Sequence, residues 1–307
     1  MKAAEITHFG HADAVEIVDV PTPQPHSGEA LVEVHASSIN PVDIKMREGM
    51  RPDYLKQMPL ILGCDVAGVL KKDIDGLHAG DRVYGQASVF RGGSGAFAEF
   101  ATMPRDLIAK MPDNLDFPGA ASMVLVGTSA IEALYDHMQL KPGQKILIHG
   151  AAGGIGTAAV QIAKHIGATV VATTHGEEVN YVRQLGADEV IDIDKEDFSA
   201  KLSGIDAVLD TVGGDTYKRS FKVLKRGGII VSMLEKPDEK SMKQYGVKAI
   251  YEFTQVRRDH LEKLTELLEE GVLLVHVEET YPLDDIREAF EAKENGHVRG
   301  KIAIEIQ

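Results

Sequence analysis

Residues 145–168 read KILIHGAAGGIGTAAVQIAKHIGA, and the succession of residue types in this stretch decides the fold. KILIH carries a continuous apolar run, as does a strand covered on both faces. A glycine-rich turn follows, and then a helix-forming run from about residue 155 to 166. Strand, tight turn and helix in that order give weight to the pattern Ala151-x-Gly153-x-x-Gly156, in which Ala stands at the first glycine position. The small residues differ in what they allow. Ala151 permits the tight turn, Gly153 lets a pyrophosphate approach the backbone, and Gly156 lets helix and strand pack closely. The free N–H groups and partial positive charge of a helix N-terminus suit phosphate. Ala151, Ala152, Gly153, Gly154, Ile155 and Gly156 are therefore the expected dinucleotide contacts.

Beyond this stretch, apolar runs at 168–173, 189–193, 206–210 and 228–231 are separated by mostly helix-length stretches, and VKAIYEF near residue 250 supplies a sixth strand. This spacing predicts βαβ units and a parallel sheet with helices on both faces. The first 120 residues differ. KAAEITHF, AVEIVDV, ALVEVHASSI, DVAGVLKKD and DRVYGQ are short strands between turn residues, and the proline-rich PTPQPHSGE is a loop. After the sixth strand, leucines 261, 264, 267 and 268 repeat at helical spacing up to Gly271, a C-cap. A strand in VLLVHVEETY, a helix in LDDIREAFEAKENG and a strand in KIAIEI complete the chain. The expected fold class is α/β, a Rossmann doubly wound parallel sheet (121–256) with a β-rich domain built from 1–120 and 257–307.

The 307 residues are 44% hydrophobic and 26% charged, ordinary values for globular domains. A net charge of −14 disfavours nucleic acid and anionic membrane as partners, because phosphates need clustered Lys and Arg. No apolar run approaches the roughly 20 residues of a bilayer span, and MKAAEITHFG has no signal-peptide core, so the expected location is cytoplasmic. The single cysteine, Cys64, forms no internal disulfide and excludes a four-cysteine structural zinc site.

The second strand of such a sheet ends where a carboxylate would hold the adenosine ribose and favour NADH. Here the residues are Thr173-Thr174-His175-Gly176, so a 2′-phosphate is expected, with Thr174, His175 and Arg183 as partners and NADPH as cofactor; NADH remains possible. Glu177 and Glu178 would repel that phosphate if turned inward, or act as first-turn helix residues. His149 reads as a satisfied core histidine beside the phosphate loop.

Eight blocks in order, SSINPVDIKMREG, PLILGCDVAGV, GDRVYG, GGSGAFAEF, ASMVLVGTSAIEAL, GAAGGIG, LDTVGG and GHVRGKIAI, make the chain resemble the medium-chain dehydrogenase/reductase superfamily, in its zinc-independent quinone oxidoreductase and enone reductase branch. The resemblance implies a GroES-like catalytic domain formed from both chain ends, a cleft holding the nicotinamide, a homodimer, and hydride transfer to quinones, enones or alkenals. Where the zinc-using branch has Cys-x-x-Asp and Gly-His-Glu, this chain has Asn40-Pro41-Val42-Asp43 and Gly63-Cys64-Asp65, so no metal site is expected. Asn40, Lys45 and Tyr84 are the implied catalytic candidates, with Asn40 and Thr128 beside the nicotinamide. Asn40-Pro41 is also an N-cap followed by proline at the first helical position. Val212 and Gly213 are placed near the adenosine half, and Arg299 and Lys301 where the C-terminal segment returns to the cleft. Two other readings compete with this reductase: a non-catalytic NADPH-binding protein and a zinc-type alcohol dehydrogenase. Residues 85–96 and 233–245 are the segments expected to set specificity.

Overall fold

The computed structural model describes residues 1–50, 58–296 and 298–307, which leaves His297 of the GHVRGKIAI block outside the described residues. Two compact units emerge: Met1–Leu125 with Val256–Glu270 and Val275–Gln307, and Val126–Gln255 with Gly271–Leu274.

In the second unit six parallel strands lie in the order Glu189–Asp192, Thr169–Thr174, Lys145–His149, Ile205–Asp210, Leu224–Ser232 and Lys248–Tyr251. Ile146, Leu147, Ile148, Val208 and Leu209 are wholly buried, which explains why the central strands read as continuous apolar runs. The strand order reverses direction between Lys145–His149 and Ile205–Asp210, and a crevice opens at the carboxyl ends of strands at such a point. Helix Gly154–Ile166 covers one face with Ala158, Ala159, Ile162 and Ala163.

The first unit gathers strands Val277–Pro282, Lys301–Glu305, Glu29–Ser38, Asp65–Leu70, Arg82–Gln86 and Ile108–Lys110 into one sheet, with Phe100–Pro104 also paired to Glu29–Ser38. Antiparallel pairing of Lys301–Glu305 with Glu29–Ser38 joins the two chain ends. A smaller sheet holds Val15–Asp19, Lys2–Ile6 and Leu60–Ile61. Leu261, Leu264, Leu267 and Leu268 all face inward from helix Arg258–Glu269.

The unit boundaries depart from those expected at 120 and 256. Residues 121–125 pack with the first unit, where Ser38 Oγ donates to the Ala121 carbonyl at 3.4 Å. Gly271–Leu274 joins the second, because Gln161 clamps Leu274 through its backbone N–H at 2.8 Å and its carbonyl at 3.2 Å. The expectation of no membrane-length apolar segment also needs correction. Phe117–His137 forms 21 residues of continuous helix apolar enough to span a bilayer, but 83% of its apolar window is buried inside the protein, as in a core helix.

A buried carboxyl pair closes the second unit. Glu252, just past the last strand, has a fully buried side chain with Glu132 nearby and His137 3.9 Å away. Burial first, then the charges of Glu132 and Asp136, push Glu252 up to about 9, against a hydrogen bond from Thr254. Between the ordinary carboxylate value and 9 the folded state keeps a proton that the unfolded state has lost, so stability falls as pH rises through that window. Glu252→Gln removes the titration and keeps the shape. Its Tm relative to the parent should climb steadily from pH 6 to pH 9, by the equivalent of up to about 1.4 kcal/mol per unit. A gap independent of pH would contradict this.

Candidate functional site

The turn after strand Lys145–His149 is built by steric exclusion. Gly150 has φ +66°, and a Cβ there would lie 2.4 Å from Thr211 Oγ1. The left-handed position thus falls at Gly150, one residue before the expected Ala151, which is instead buried with its N–H on the Thr173 carbonyl at 3.1 Å. A Cβ on Gly156 would meet the Gly150 carbonyl oxygen at 2.2 Å and Ala151 Cα at 2.6 Å, so helix and turn touch there. Gly153, the N-cap of helix Gly154–Ile166, is different: a Cβ would find only the Gly150 oxygen, at an ordinary 3.4 Å. Among the described residues, no other atom outside the adjoining residues lies within 4 Å of that position.

That space belongs to a cavity of about 580 Å³, whose walls include Gly150, Ala152, Gly153, Thr174, Val212 and Arg219. Asp210 places Val212 on the rim by accepting the Val212 and Gly213 N–H groups at 3.1 and 2.9 Å. Val212 is 49% exposed and Ile193, another wall residue, 43%, which provides apolar surface for a flat ring. His149 lies at the cavity base. Ser220 Oγ donates to the Thr216 carbonyl (2.7 Å), so it accepts from His149 Nε2 (2.9 Å), which leaves His149 Nδ1 to accept from Thr173 Oγ1 at 2.8 Å. Burial, aided by the charge of Arg219, pushes this imidazole down to about 3, and it is a neutral structural group, as expected.

The expected 2′-phosphate partners are arranged otherwise than the sequence suggests. Thr174 is buried and its hydroxyl donates to the inward-turned Glu178 carboxylate. His175 Nδ1 lies 2.9 Å from Asp194. Arg183 is exposed, 3.5 Å from Asn180 Oδ1, and does not reach the wall. The wall cations are Lys195, 2.6 Å from Asp192, and Arg219, paired with Asp197 and lying over the Phe198 ring at 5.0 Å. Sequence reasoning misses both because they follow the third and fourth strands; a basic residue shortly beyond a predicted parallel strand is the signal that could find them.

In the first unit, Asn40, Asp65 and Lys301 form one buried network. Asn40 is 1% exposed; its Nδ2 donates to Asp65 at 2.8 Å and its Oδ1 accepts from Lys301 Nζ at 2.5 Å. Lys301 Nζ also donates to the Ile39 carbonyl (2.7 Å) and lies 3.6 Å from Asp65. Burial lowers the Lys301 ammonium and raises the Asp65 carboxyl, each opposed by the other's charge. Lys301 is therefore an internal cation, not a cofactor contact at the surface, and Asn40 presents neither amide atom to a ligand. The Asn40 backbone N–H donates to the Asp43 carboxylate at 2.8 Å at the start of the next helix, while Asp65 and Lys301 hold the Asn40 side chain inside.

Tyr84 is also corrected. It is wholly buried, and its hydroxyl donates to the Leu261 carbonyl at 2.6 Å with Thr265 Oγ1 at 2.9 Å, so it anchors helix Arg258–Glu269 and is not part of the wall of the cavity beside Gly153. Arg299 is bidentate to Glu278 at 2.8 and 3.1 Å, and Thr128 is wholly buried. Lys45, on helix Pro41–Arg47, is half-buried, and its side chain makes no hydrogen bond or ion pair among the described residues.

The chain matches the alcohol dehydrogenase GroES-like domain family over residues 26–113 and the zinc-binding dehydrogenase family over residues 185–304. It is 32% identical to the chloroplast envelope quinone oxidoreductase homolog of Arabidopsis thaliana, over 97% of this chain and 96% of that one. The NADPH-dependent alkenal/one oxidoreductase of the same plant is 31% identical over 99% of this chain and 79% of its own. The structure of Escherichia coli quinone oxidoreductase complexed with NADPH superimposes over 100% of both chains with a TM-score of 0.89 and 27% identity. The chain belongs to the quinone oxidoreductase branch of the medium-chain dehydrogenase/reductase superfamily.

The zinc implied by one family name does not fit the residues present. Catalytic zinc takes three thiolate, imidazole or carboxylate ligands. Among the described residues no such group is gathered. Cys64 is a thiol donating to Asp43 at 3.1 Å, and burial, then the charges of Asp43 and Asp65, push it far from the thiolate form. The positive charge facing Asp65 is already the Lys301 ammonium.

Proposed function

We propose that this protein is an NADPH-dependent, zinc-independent reductase that delivers hydride to quinones or α,β-unsaturated carbonyls. The observation that carries this reading is the open side-chain position at Gly153, where a helix N-terminus borders the cavity and no steric clash among the described residues accounts for the missing Cβ. By their names, the first relative above is a quinone oxidoreductase homolog, the second an NADPH-dependent alkenal/one oxidoreductase, and the solved structure a quinone oxidoreductase complexed with NADPH. The adenosine half of the cofactor would rest between Val212 and Ile193, with Lys195, Arg219 and His175 turning from their carboxylates towards the 2′-phosphate. NADPH, when bound, supplies the hydride.

Hydride addition to the carbon β to a carbonyl gathers negative charge on the oxygen, and a cation placed there lowers the barrier. Of the catalytic candidates named from the sequence, Asn40 and Tyr84 are engaged inside the first unit, as is Lys301, and Lys45 is the candidate left to supply this charge, with water as the final proton donor. Lys45→Met should lower kcat by about 100-fold and leave NADPH affinity within about twofold. Unchanged turnover would remove Lys45 from the mechanism.

The reading as a whole is tested by following NADPH and NADH absorbance with 9,10-phenanthrenequinone, a simple enone and an alkenal. Oxidation only of NADH would overturn the cofactor, and binding without turnover would favour a non-catalytic role. We also propose a cytoplasmic homodimer that joins through strand Lys248–Tyr251, which has a sheet neighbour on one side only among the described residues. A monomer by light scattering would exclude it.

A further inference from the structure

Glu178 ends the short turn Gly176–Glu178 that follows strand Thr169–Thr174. Its side chain points into the protein: the residue is 7% exposed and forms part of the wall of the cavity beside Gly153. Glu177, its neighbour in the chain, is exposed and is not part of that wall.

The charges around the cavity are unevenly matched. Among the described residues three carboxylates belong to the wall, and two of them are answered by cations, Glu196 by Lys201 and Asp197 by Arg219. Glu178 is bonded instead to a neutral group, the Thr174 hydroxyl, and forms no ion pair among the described residues. The basic groups of the wall are offset in turn, Lys195 by Asp192 at 2.6 Å, Arg219 by Asp197 and Asp215, and His175 by Asp194 at 2.9 Å. The charge left without an opposite is therefore the carboxylate of Glu178.

Its place in the sheet gives that charge a target. Strand Thr169–Thr174 runs parallel to Lys145–His149 with Thr173 opposite His149, and the Ala151 N–H donates to the Thr173 carbonyl at 3.1 Å. The strand end that leads to Glu178 thus adjoins the turn of Gly150 and Gly153. A dinucleotide whose pyrophosphate rests at such a turn lays its adenosine ribose at the end of the neighbouring strand.

We propose that Glu178 is a specificity-determining residue, which accepts a hydrogen bond from the ribose 2′-hydroxyl of NADH and opposes the 2′-phosphate of NADPH. It narrows the preference for NADPH that Lys195 and Arg219 create. This inference rests on the place given above to the adenosine half of the cofactor. A single negative charge about 6 Å from a phosphate dianion, screened by water, changes affinity by about tenfold.

The test compares the full-length parent, Glu178→Gln and Glu177→Gln by calorimetric titration with NADPH, NADH, 2′,5′-ADP and 5′-AMP, so that no turnover is required. Glutamine removes the charge and keeps an acceptor oxygen for Thr174 and for a ribose hydroxyl. Glu178→Gln should bind NADPH and 2′,5′-ADP about tenfold more tightly, with NADH and 5′-AMP within about threefold of the parent. Glu177→Gln makes the same change in net charge on the exposed side and should move either ratio by less than about twofold. A merely structural Glu178 would shift phosphorylated and unphosphorylated nucleotides together. An unchanged ratio in Glu178→Gln, or an equal change in Glu177→Gln, overturns the proposal and leaves the cavity as the nucleotide site. Failure of the parent to bind any of the four would overturn the placement of the adenosine half and the role of Glu178 with it.

Discussion

Gly153→Ala should give a protein that folds with Tm within about 3 °C of the parent yet binds NADPH at least tenfold more weakly, a loss of about 1.4 kcal/mol or more. The fold should survive because the added Cβ meets only the Gly150 oxygen at 3.4 Å, and because alanine as N-cap costs at most about 1 kcal/mol relative to glycine. The affinity should fall because the methyl group occupies the cavity face from which a pyrophosphate would meet the helix N-terminus. Gly156→Ala provides the contrast: its Cβ would be 2.2 Å from a backbone oxygen and 2.6 Å from Ala151 Cα, with no flexible side chain to move aside. That variant should lose several degrees of Tm along with cofactor binding. Isothermal titration with NADPH and a thermal melt on both variants separate the two glycines. Equal affinity for parent and Gly153→Ala would remove the main support for a dinucleotide at this turn.

Lys301→Met should cost about 3–5 kcal/mol of stability, because it leaves Asp65 as a buried carboxylate without its counter-charge and Asn40 Oδ1 and the Ile39 carbonyl without their donor. A surface lysine would cost less than about 0.5 kcal/mol. The loss should be smaller in mildly acidic solution, where Asp65, already raised by burial, takes up a proton. In the double variant Asp65→Asn/Lys301→Met the two losses should fall short of their sum by about 1–3 kcal/mol, since the uncompensated charge is then absent. Denaturant melts at two pH values on the four proteins measure this; additive losses would mean that Lys301 and Asp65 do not act as a pair.

The strand-turn-helix of residues 145–168 is legible in the sequence because its information is local: small residues at fixed spacing are demanded by one turn and by the helix that follows it. The six parallel strands are legible for a related reason, since burial on both faces leaves an apolar run that needs no knowledge of neighbours. Tyr84, Asn40 and Lys301 mislead for the opposite reason. Their roles depend on Leu261, Asp65 and one another, partners 25 to 261 residues away in the chain. A polar side chain looks the same in sequence whether it faces a ligand or a buried partner.

The order of residues alone carries the architecture and the place of the glycine-rich turn between strand and helix. The folded chain was needed to reveal that the left-handed residue is Gly150, that Lys195 and Arg219 rather than Arg183 stand on the cavity wall, and that Lys301 is an interior cation. Strand and helix patterns record each segment's own burial, whereas the electrostatics of a side chain depends on which distant groups the fold brings within a few ångströms of it.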